Sequence, residues 1–165
     1  MGDVRKYRVL VADDEPHIGR IIQMKLEQGP FQVTLVYDGA EAIEMLDSGE
    51  PVELVLLDLM MPRRSGLDVL AHIRETEALR TLPCVVLTAA GQEQQHSRAM
   101  ELGADDFITK PFSPKKLYQR ALALLGLDAE AGHGDEFDAI KSATSVAQSD
   151  TETGRIEPDA AGGVE

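Results

Sequence analysis

One short stretch constrains the fold of this chain more than any other. In the segment 52–62, four consecutive apolar residues, 54–57, lead directly into Asp58. An unbroken apolar run of this length favours a strand that is covered on both faces, as in a parallel sheet. Pro62 prevents the strand from continuing. Asp58 is therefore expected where a buried strand surfaces, and open parallel sheets bind ligands at the carboxyl ends of their strands.

Strand-like and helix-like segments alternate five times along the chain, which predicts an α/β fold with one parallel sheet. The strands are predicted over residues 7–12, 31–37, 54–58, 84–87 and 107–109. The helices are predicted between Pro16 and Gly29, between Gly39 and Ser48, over about 66–76, over 92–102 and from Pro114 onwards. The inner faces of the first and last helices are predicted to hold Ile18, Ile21, Ile22 and Leu26, and Leu117, Ala121, Leu124 and Leu125.

The composition excludes several classes of protein. The chain has 165 residues, a formal charge of -13, 43% hydrophobic residues, 4% aromatic residues and no tryptophan. The predicted core is therefore aliphatic, and the negative charge argues against direct binding of nucleic acid. One cysteine excludes an internal disulfide, and no spacing of Cys and His matches a zinc site. Without a membrane span or a secretory signal, a cytoplasmic protein is expected.

The composition changes at residue 126. Residues 127–165 contain ten acids but only two bases, Lys141 and Arg155, and few large apolar side chains. Such a segment buries too little apolar surface to offset the entropy that ordering costs. We therefore predict a folded domain over residues 1–126 and an acidic, disordered tail over residues 127–165. The alternative is that the tail is the start of a further part of a longer protein that was cut.

Polar side chains follow four of the predicted strands at the same end. Asp13 and Asp14 follow the first strand, Asp58 ends the third, Thr88 follows the fourth and Lys110 follows the fifth. Because parallel strands all end at one edge of the sheet, these five side chains are predicted to converge.

The convergent residues suit a metal-assisted transfer of a phosphoryl group. Crowded carboxylates favour a shared hard cation, and Mg²⁺ prefers oxygen ligands. The predicted ligands are Asp14 and Asp58, with Asp13 direct or through water, and the backbone carbonyl of Met60. We interpret Asp58 as the nucleophile, with the metal, Lys110 and Thr88 each neutralising one phosphoryl oxygen.

Five separated motifs resemble, in order and spacing, the receiver domain of two-component response regulators. They are Asp13-Asp14, Asp58 with Met61-Pro62, Ser65-Gly66, Thr88-Ala89 and Lys110-Pro111-Phe112. The resemblance covers about residues 7–125, and a stand-alone receiver similar to the chemotaxis regulators is expected. It implies a flavodoxin-like (βα)5 sandwich, with a five-stranded parallel sheet in the order 2-1-3-4-5 and helices on both faces. It also implies a cis peptide bond between Lys110 and Pro111.

The resemblance implies a signalling function. Asp58 would accept a phosphoryl group from a histidine kinase or a histidine phosphotransfer protein, with Mg²⁺ as cofactor. Such a receiver is a phosphoacceptor that assists its own phosphorylation and dephosphorylation, and is not an enzyme acting on other substrates. The residues matching Thr88 and Phe107 would form a switch that alters the surface of the fourth helix, fifth strand and fifth helix. Output is expected by contact with an unidentified protein, from a monomer or a phosphorylation-dependent dimer.

Simpler interpretations of single residues compete with these roles. Acids such as Asp13 and Asp14 are favourable at the start of any helix. Thr88 alone would be an ordinary strand-end hydroxyl, and Phe107 is expected in the core, with or without a switching role. The remaining expectations are that His17 and His96 are solvated helix residues and that Cys84 is a buried, inert thiol.

Three other functions are compatible with parts of the pattern. A phosphohydrolase of the haloacid dehalogenase kind also uses a strand-end aspartate and magnesium, but it needs an acid where this chain has Met60. A nucleotide-binding domain needs a glycine-rich loop after the first strand, which this sequence lacks. A receiver that no longer accepts phosphate would act as a scaffold, but the intact set of acids argues against that function.

Overall fold

The computed structural model describes residues 5–127, which form a parallel sheet covered by two groups of helices. The elements are β1 (Tyr7–Ala12), α1 (Pro16–Leu26), β2 (Phe31–Val36), α2 (Gly39–Asp47), β3 (Leu54–Asp58), α3 (Gly66–Glu75), a short 3-10 helix (Glu77–Leu79), β4 (Cys84–Ala89), α4 (Glu93–Glu101), β5 (Asp106–Lys110) and α5 (Pro114–Leu124). The predicted acidic tail lies, apart from its first residue, outside the described residues.

The strand order is β2-β1-β3-β4-β5, and every neighbouring pair is parallel. This order confirms the predicted flavodoxin-like arrangement, in which α1 and α5 contact each other while α2, α3 and α4 form the second group. All five residues of the central strand β3 are buried, as expected for a strand that has neighbours on both sides and helices on both faces. The peptide bond between Lys110 and Pro111 is cis, as the resemblance implies.

Short-range signals fix where the helices begin. The side chain of Asp38 accepts a hydrogen bond of 2.8 Å from the backbone N–H of Glu41, which caps α2. Ser65 and Asp68 form a reciprocal capping box at the start of α3. Pro16 and Pro114 lie in the first turns of α1 and α5, where a missing N–H costs no hydrogen bond.

The inner faces of two helices differ from the predicted ones. In α1, Gly19, Ile22 and Leu26 are buried, whereas Ile21 is 44% exposed. The prediction for Ile21 was wrong because the buried stripe runs through Gly19, which lies beside Leu35 of β2, rather than through Ile21. In α5, Leu122 is buried, while Leu124 and Leu125 are only half-buried. Within residues 5–127, the helices are too short or too polar to cross a bilayer.

Two close contacts made by glycines hold the loop between β3 and α3. A methyl group at Gly66 would overlap the backbone carbonyl oxygen of Asp58, and one at Gly39 would overlap the carbonyl oxygen of Arg64. Within this loop, Arg63 has a φ of 70°, and its Nε lies 3.2 Å from Oδ2 of Asp38. The loop is therefore held between the end of β3 and the start of α2.

We expect Gly66→Ala to lower the free energy of unfolding by about 1–3 kcal/mol, because the backbone has to move to make room for the methyl group. The matched control is Gly19→Ala in α1, where the new Cβ would lie 3.4 Å from Cδ2 of Leu35, an ordinary contact distance. That variant should be neutral or stabilised by up to about 1 kcal/mol, since alanine favours a helix. Urea unfolding measures both, and equal stabilities would contradict the role given to Gly66.

Candidate functional site

The predicted site residues stand at the carboxyl ends of four adjacent strands. Asp13 follows β1 directly, Asp58 is the last residue of β3, and Lys110 is the last residue of β5. Thr88 lies one residue before the end of β4, and its predecessor Leu87 pairs with Asp58 in the sheet register. Because β1, β3, β4 and β5 are consecutive in the sheet, residues up to about a hundred positions apart in sequence converge as predicted.

Asp58 is 5% exposed and receives hydrogen bonds on both of its carboxylate oxygens. The backbone N–H of Met60 donates to Oδ1 at 3.2 Å, and Nζ of Lys110 donates to Oδ2 at 3.3 Å. Both donors stabilise the ionised carboxylate. The side chain is thus fixed at the floor of the site, and the Met60 bond leads directly into the loop that follows β3.

Asp13 and Asp14 complete a cluster of three carboxylates. One oxygen from each of Asp13, Asp14 and Asp58 lies within 4.8 Å of the others. Asp13 is 1% exposed and uses Oδ1 to accept a hydrogen bond of 2.9 Å from the backbone N–H of Glu15. Its Oδ2 is buried and lacks a hydrogen-bonded donor, although the ammonium of Lys110 lies 3.0 Å away as an ion pair.

These three carboxylates fit a magnesium ion. Buried carboxylates are costly unless cations compensate their charge, and the single ammonium of Lys110 is shared among Asp13, Asp58 and Glu15. The donors in the cluster are oxygens, and Mg²⁺ takes one or two carboxylates while keeping several of its waters. Asp14 is exposed, so the cluster is open to solvent on one side.

Lys110 contacts three carboxylates with a single ammonium group. Its Nζ lies 3.0 Å from Asp13, 3.3 Å from Asp58 and 3.3 Å from Oε1 of Glu15. Glu15 was not among the predicted site residues. Glu15 precedes the first turn of α1 without capping it through its side chain, which instead reaches Lys110. The acidic run Asp13-Asp14-Glu15 is the sequence signal that could have identified it.

The crowding of acids changes the protonation of the site. Burial raises the pKa of Asp58 to about 7, the charge of Asp13 adds to this effect, and Lys110 opposes it. Burial alone would lower the pKa of Lys110, but its contacts with Asp13 and Asp58 outweigh burial and raise it. The lysine therefore stays charged, while Asp58 in the metal-free site holds a proton close to neutral pH.

Phe107 and His96 lie elsewhere than expected. Phe107 is 38% exposed on β5, so its predicted core position is wrong. Its ring packs against His96 of α4, with 4.0 Å between ring centroids and an angle of 49°. Nε2 of His96 is buried without a hydrogen-bond partner among the described residues, so the expectation of a solvated histidine is wrong as well. Thr88, the other predicted switch residue, is buried, with 5% of its surface exposed.

Two further residues outside the site have defined environments. Cys84 is buried in β4, and burial raises the pKa of its thiol to about 12, which confirms the expectation of an inert cysteine. Nε2 of His72 lies 2.8 Å from Oδ1 of Asp47, a contact between α3 and α2 that the sequence did not indicate.

Known proteins resemble this chain in sequence and in fold. The model of the response regulator receiver domain family matches residues 9–122. The phosphate regulon transcriptional regulatory protein PhoB of Escherichia coli K12 is 42% identical over 118 residues, which cover 72% of this chain and 51% of PhoB. The receiver domain of the Francisella response regulator 1452 is 30% identical with a TM-score of 0.66, covering 72% of this chain and 96% of that domain. The BeF3-activated receiver domain of DrrB is 30% identical with a TM-score of 0.64, covering 73% and 98%. The chain therefore spans about half the length of the curated relatives that it matches.

We expect the metal-free protein to lose stability as the pH rises through the range in which Asp58 titrates. The unfolded carboxyl group releases its proton near 3.8, whereas the folded one holds it to about 7. Between these values the folded state binds more protons, so the free energy of unfolding falls with increasing pH. This dependence is measured by urea unfolding in the presence of a chelator, at pH values from about 4.5 to about 8.

Asp58→Asn is the control, because it removes the titrating group while keeping the shape of the side chain. The difference between wild type and variant isolates Asp58 from the other carboxylates. If both proteins showed the same dependence on pH, the raised pKa of Asp58 would be ruled out.

Proposed function

The chain belongs to the response regulator receiver domain family, and we propose that it is a phosphorylation-dependent signalling switch whose phosphoacceptor is Asp58. The observation that supports this assignment best is that one buried carboxylate contacts a fixed ammonium and belongs to a cluster of carboxylates that fits a metal ion. Nζ of Lys110 lies 3.3 Å from Asp58, and oxygens of Asp13 and Asp14 lie within 4.8 Å of it. A carboxylate nucleophile needs this neutralising charge to approach an anionic phosphoryl group.

In the proposed reaction, an oxygen of Asp58 attacks the phosphorus atom of a phosphohistidine. The bond from phosphorus to the histidine nitrogen breaks, and its electron pair stays on the imidazole. Lys110 and the hydroxyl of Thr88 stabilise oxygens of the transferred group. Asp13, Asp14, Asp58 and the backbone carbonyl of Met60 would hold Mg²⁺, which supplies positive charge that favours the ionised Asp58 and offsets the charge of the phosphoryl group.

The proposed donor is a histidine kinase or a histidine phosphotransfer protein of the same cell, in the cytoplasm. The receiver contributes the groups that accelerate the transfer and the later loss of the phosphoryl group, but it turns over no other substrate. A phosphohydrolase differs from such a receiver, because it releases product from a separate phosphate ester in each catalytic cycle.

The proposed output surface is formed by α4, β5 and α5. Phe107 projects from β5 onto His96 of α4, and the ion pair of Asp106 with Arg120 joins β5 to α5. If Thr88 moves towards the phosphoryl group, Phe107 can turn inward and leave His96, which changes the shape of this surface. Phe107 has no hydroxyl, so the switch acts through packing alone. A phosphoryl group is a local electrostatic change that can bias such a two-state element.

The proposed downstream partner is a protein that binds this surface in one of its two states, with the receiver acting as a monomer or as a phosphorylation-dependent dimer. PhoB is named a transcriptional regulatory protein, and it is about twice as long as the part matched here. The stand-alone, chemotaxis-like form stays a prediction, because PhoB and CpxR, the curated relatives, extend beyond the receiver.

We expect wild-type protein incubated with acetyl phosphate and Mg²⁺ to gain one phosphoryl group by intact-mass spectrometry, because acetyl phosphate can replace phosphohistidine as the donor. Asp58→Asn should gain none, since its amide is not a nucleophile. Asp47→Asn, which changes an exposed aspartate of α2, is the matched control and should react like wild type.

The outcomes separate the alternatives. If none of the three proteins, wild type included, gained an adduct, a scaffold would be favoured over a phosphoacceptor. Continuous release of phosphate from p-nitrophenyl phosphate, without a stable adduct, would favour a phosphohydrolase. An adduct that persists on Asp58→Asn would place the acceptor elsewhere.

We expect the phosphoryl group on Asp58 to be lost slowly, because the two residues that flank the site lack groups that position water. Met60 is 49% exposed and Ala90 is exposed, but neither has an amide or an acid. Met60→Asn should speed the loss severalfold by orienting a water molecule. Met100→Asn, the same change at a 39% exposed residue of α4, should leave the rate unchanged. The decay of the adduct mass after removal of acetyl phosphate gives the rates, and rapid loss from wild type would refute this account.

A further inference from the structure

A groove lies between the end of β2 and helix α2, at the edge of the sheet opposite β5. Its volume is about 540 Å³, and most of its lining is apolar. Its apolar lining residues are Leu35, Val36, Tyr37 and Met45; Tyr37 is 41% exposed, and Leu35 and Met45 are half-buried. Neither the predicted phosphoryl site nor the proposed output surface includes these residues.

The charged side chains that line the groove are all acidic. They are Glu41, Glu44 and Glu50, and Lys or Arg is absent from its lining among the described residues. Glu50 has a long contact of 3.5 Å with Arg8, and both side chains are exposed, so this pair neutralises little. Glu44 forms no ion pair within residues 5–127. The groove therefore combines an apolar floor with an uncompensated negative rim.

In the edge strand beside the groove, the backbone groups of Leu35 are available for hydrogen bonding. β2 is an edge strand, and the outward-facing groups of Val33 are satisfied by side chains: Glu27 accepts from its N–H at 3.0 Å, and Gln23 donates to its carbonyl at 3.4 Å. The N–H of Tyr37 donates to Glu41 at 2.8 Å. By the alternation of a strand, Leu35 also faces outward, and within residues 5–127 its N–H and carbonyl receive no such partner.

We propose that this groove binds a basic, amphipathic segment of a partner protein. An apolar side chain of the segment fills the space over Leu35, Tyr37 and Met45. Lysine or arginine side chains pair with Glu44 and its neighbours, and a backbone group of the segment bonds to Leu35. This combination of an apolar anchor and a charged rim is typical of peptide-binding grooves.

A second copy of the chain does not fit the groove equally well. The chain has a formal charge of -13, and a dimer through this face would bring acidic rims together. The charge complement of the groove is basic, which selects a different protein. Because β2 and β5 are the two edges of the sheet, such a partner can bind while the proposed output surface is occupied. The binding requires no phosphorylation of Asp58, so the two proposals stand or fall separately.

The test is a titration of the ¹⁵N-labelled full chain with a short synthetic peptide of alternating lysine and leucine, which can bind in an extended conformation along β2, followed by amide chemical shifts. We expect saturable shifts centred on Leu35, Tyr37 and Met45. The same peptide with glutamate in place of lysine should not bind. Glu44→Lys should weaken binding about fivefold, since it replaces an attraction with a repulsion, and Met45→Ala should weaken it as well.

Glu75→Lys is the matched control, because it makes the same charge change at an exposed position of α3 outside the groove. It should bind the peptide like wild type, and the amide spectrum of each variant shows that the protein is folded. Equal weakening by Glu75→Lys and Glu44→Lys would mean general attraction to an acidic protein and would overturn the proposal. Shifts confined to residues 128–165, or no saturable shifts, would overturn it too.

Discussion

The structure depends on one ammonium group that serves several carboxylates. Asp13 and Asp58 are almost completely buried at the end of the sheet, and Lys110 reaches both of them together with Glu15. Without this cation, two buried acids at close range would repel each other and neither would remain ionised readily. The parallel arrangement of the strands allows these contacts, because it places the carboxyl ends of β1, β3 and β5 at the same edge of the sheet. The topology of the sheet thus determines which charges surround Asp58.

Much of the fold was predictable because the strands are short apolar runs with abrupt polar ends. The bounds of β1 and β3 follow directly from the sequence, and Asp38, Ser65 and Ser113 mark helix starts through caps that act over three residues. The orientation of helix faces was less predictable. Ile21 is apolar and has suitable spacing, yet it faces solvent, because the contact of Gly19 with Leu35 fixes how α1 lies on the sheet. That contact joins residues of two elements, and a periodicity within one helix does not contain it.

Some residues of the candidate site were predictable from the sequence and others were not. Asp13, Asp14, Asp58 and Lys110 converge because topology alone brings strand ends together, so a list of strand ends predicts them. Glu15 and His96 depend instead on where a side chain points after packing. Glu15 turns from the start of its helix towards Lys110, and His96 lies under the ring of Phe107. Local sequence offers each of these residues several equally good orientations, and only the neighbouring elements decide between them.

The loop that follows Asp58 has a consequence for how this domain can vary. The backbone carbonyl oxygens of Asp58 and Arg64, near its two ends, lie against Gly66 and Gly39, with no space for a methyl group at either glycine. Within the loop, the side chain of Met60 is 49% exposed and free of that restriction. A library that varied Met60 could therefore retune the chemistry beside Asp58 while the polypeptide path stayed the same. Changes at the two glycines would alter the path itself and displace helix α2 with it.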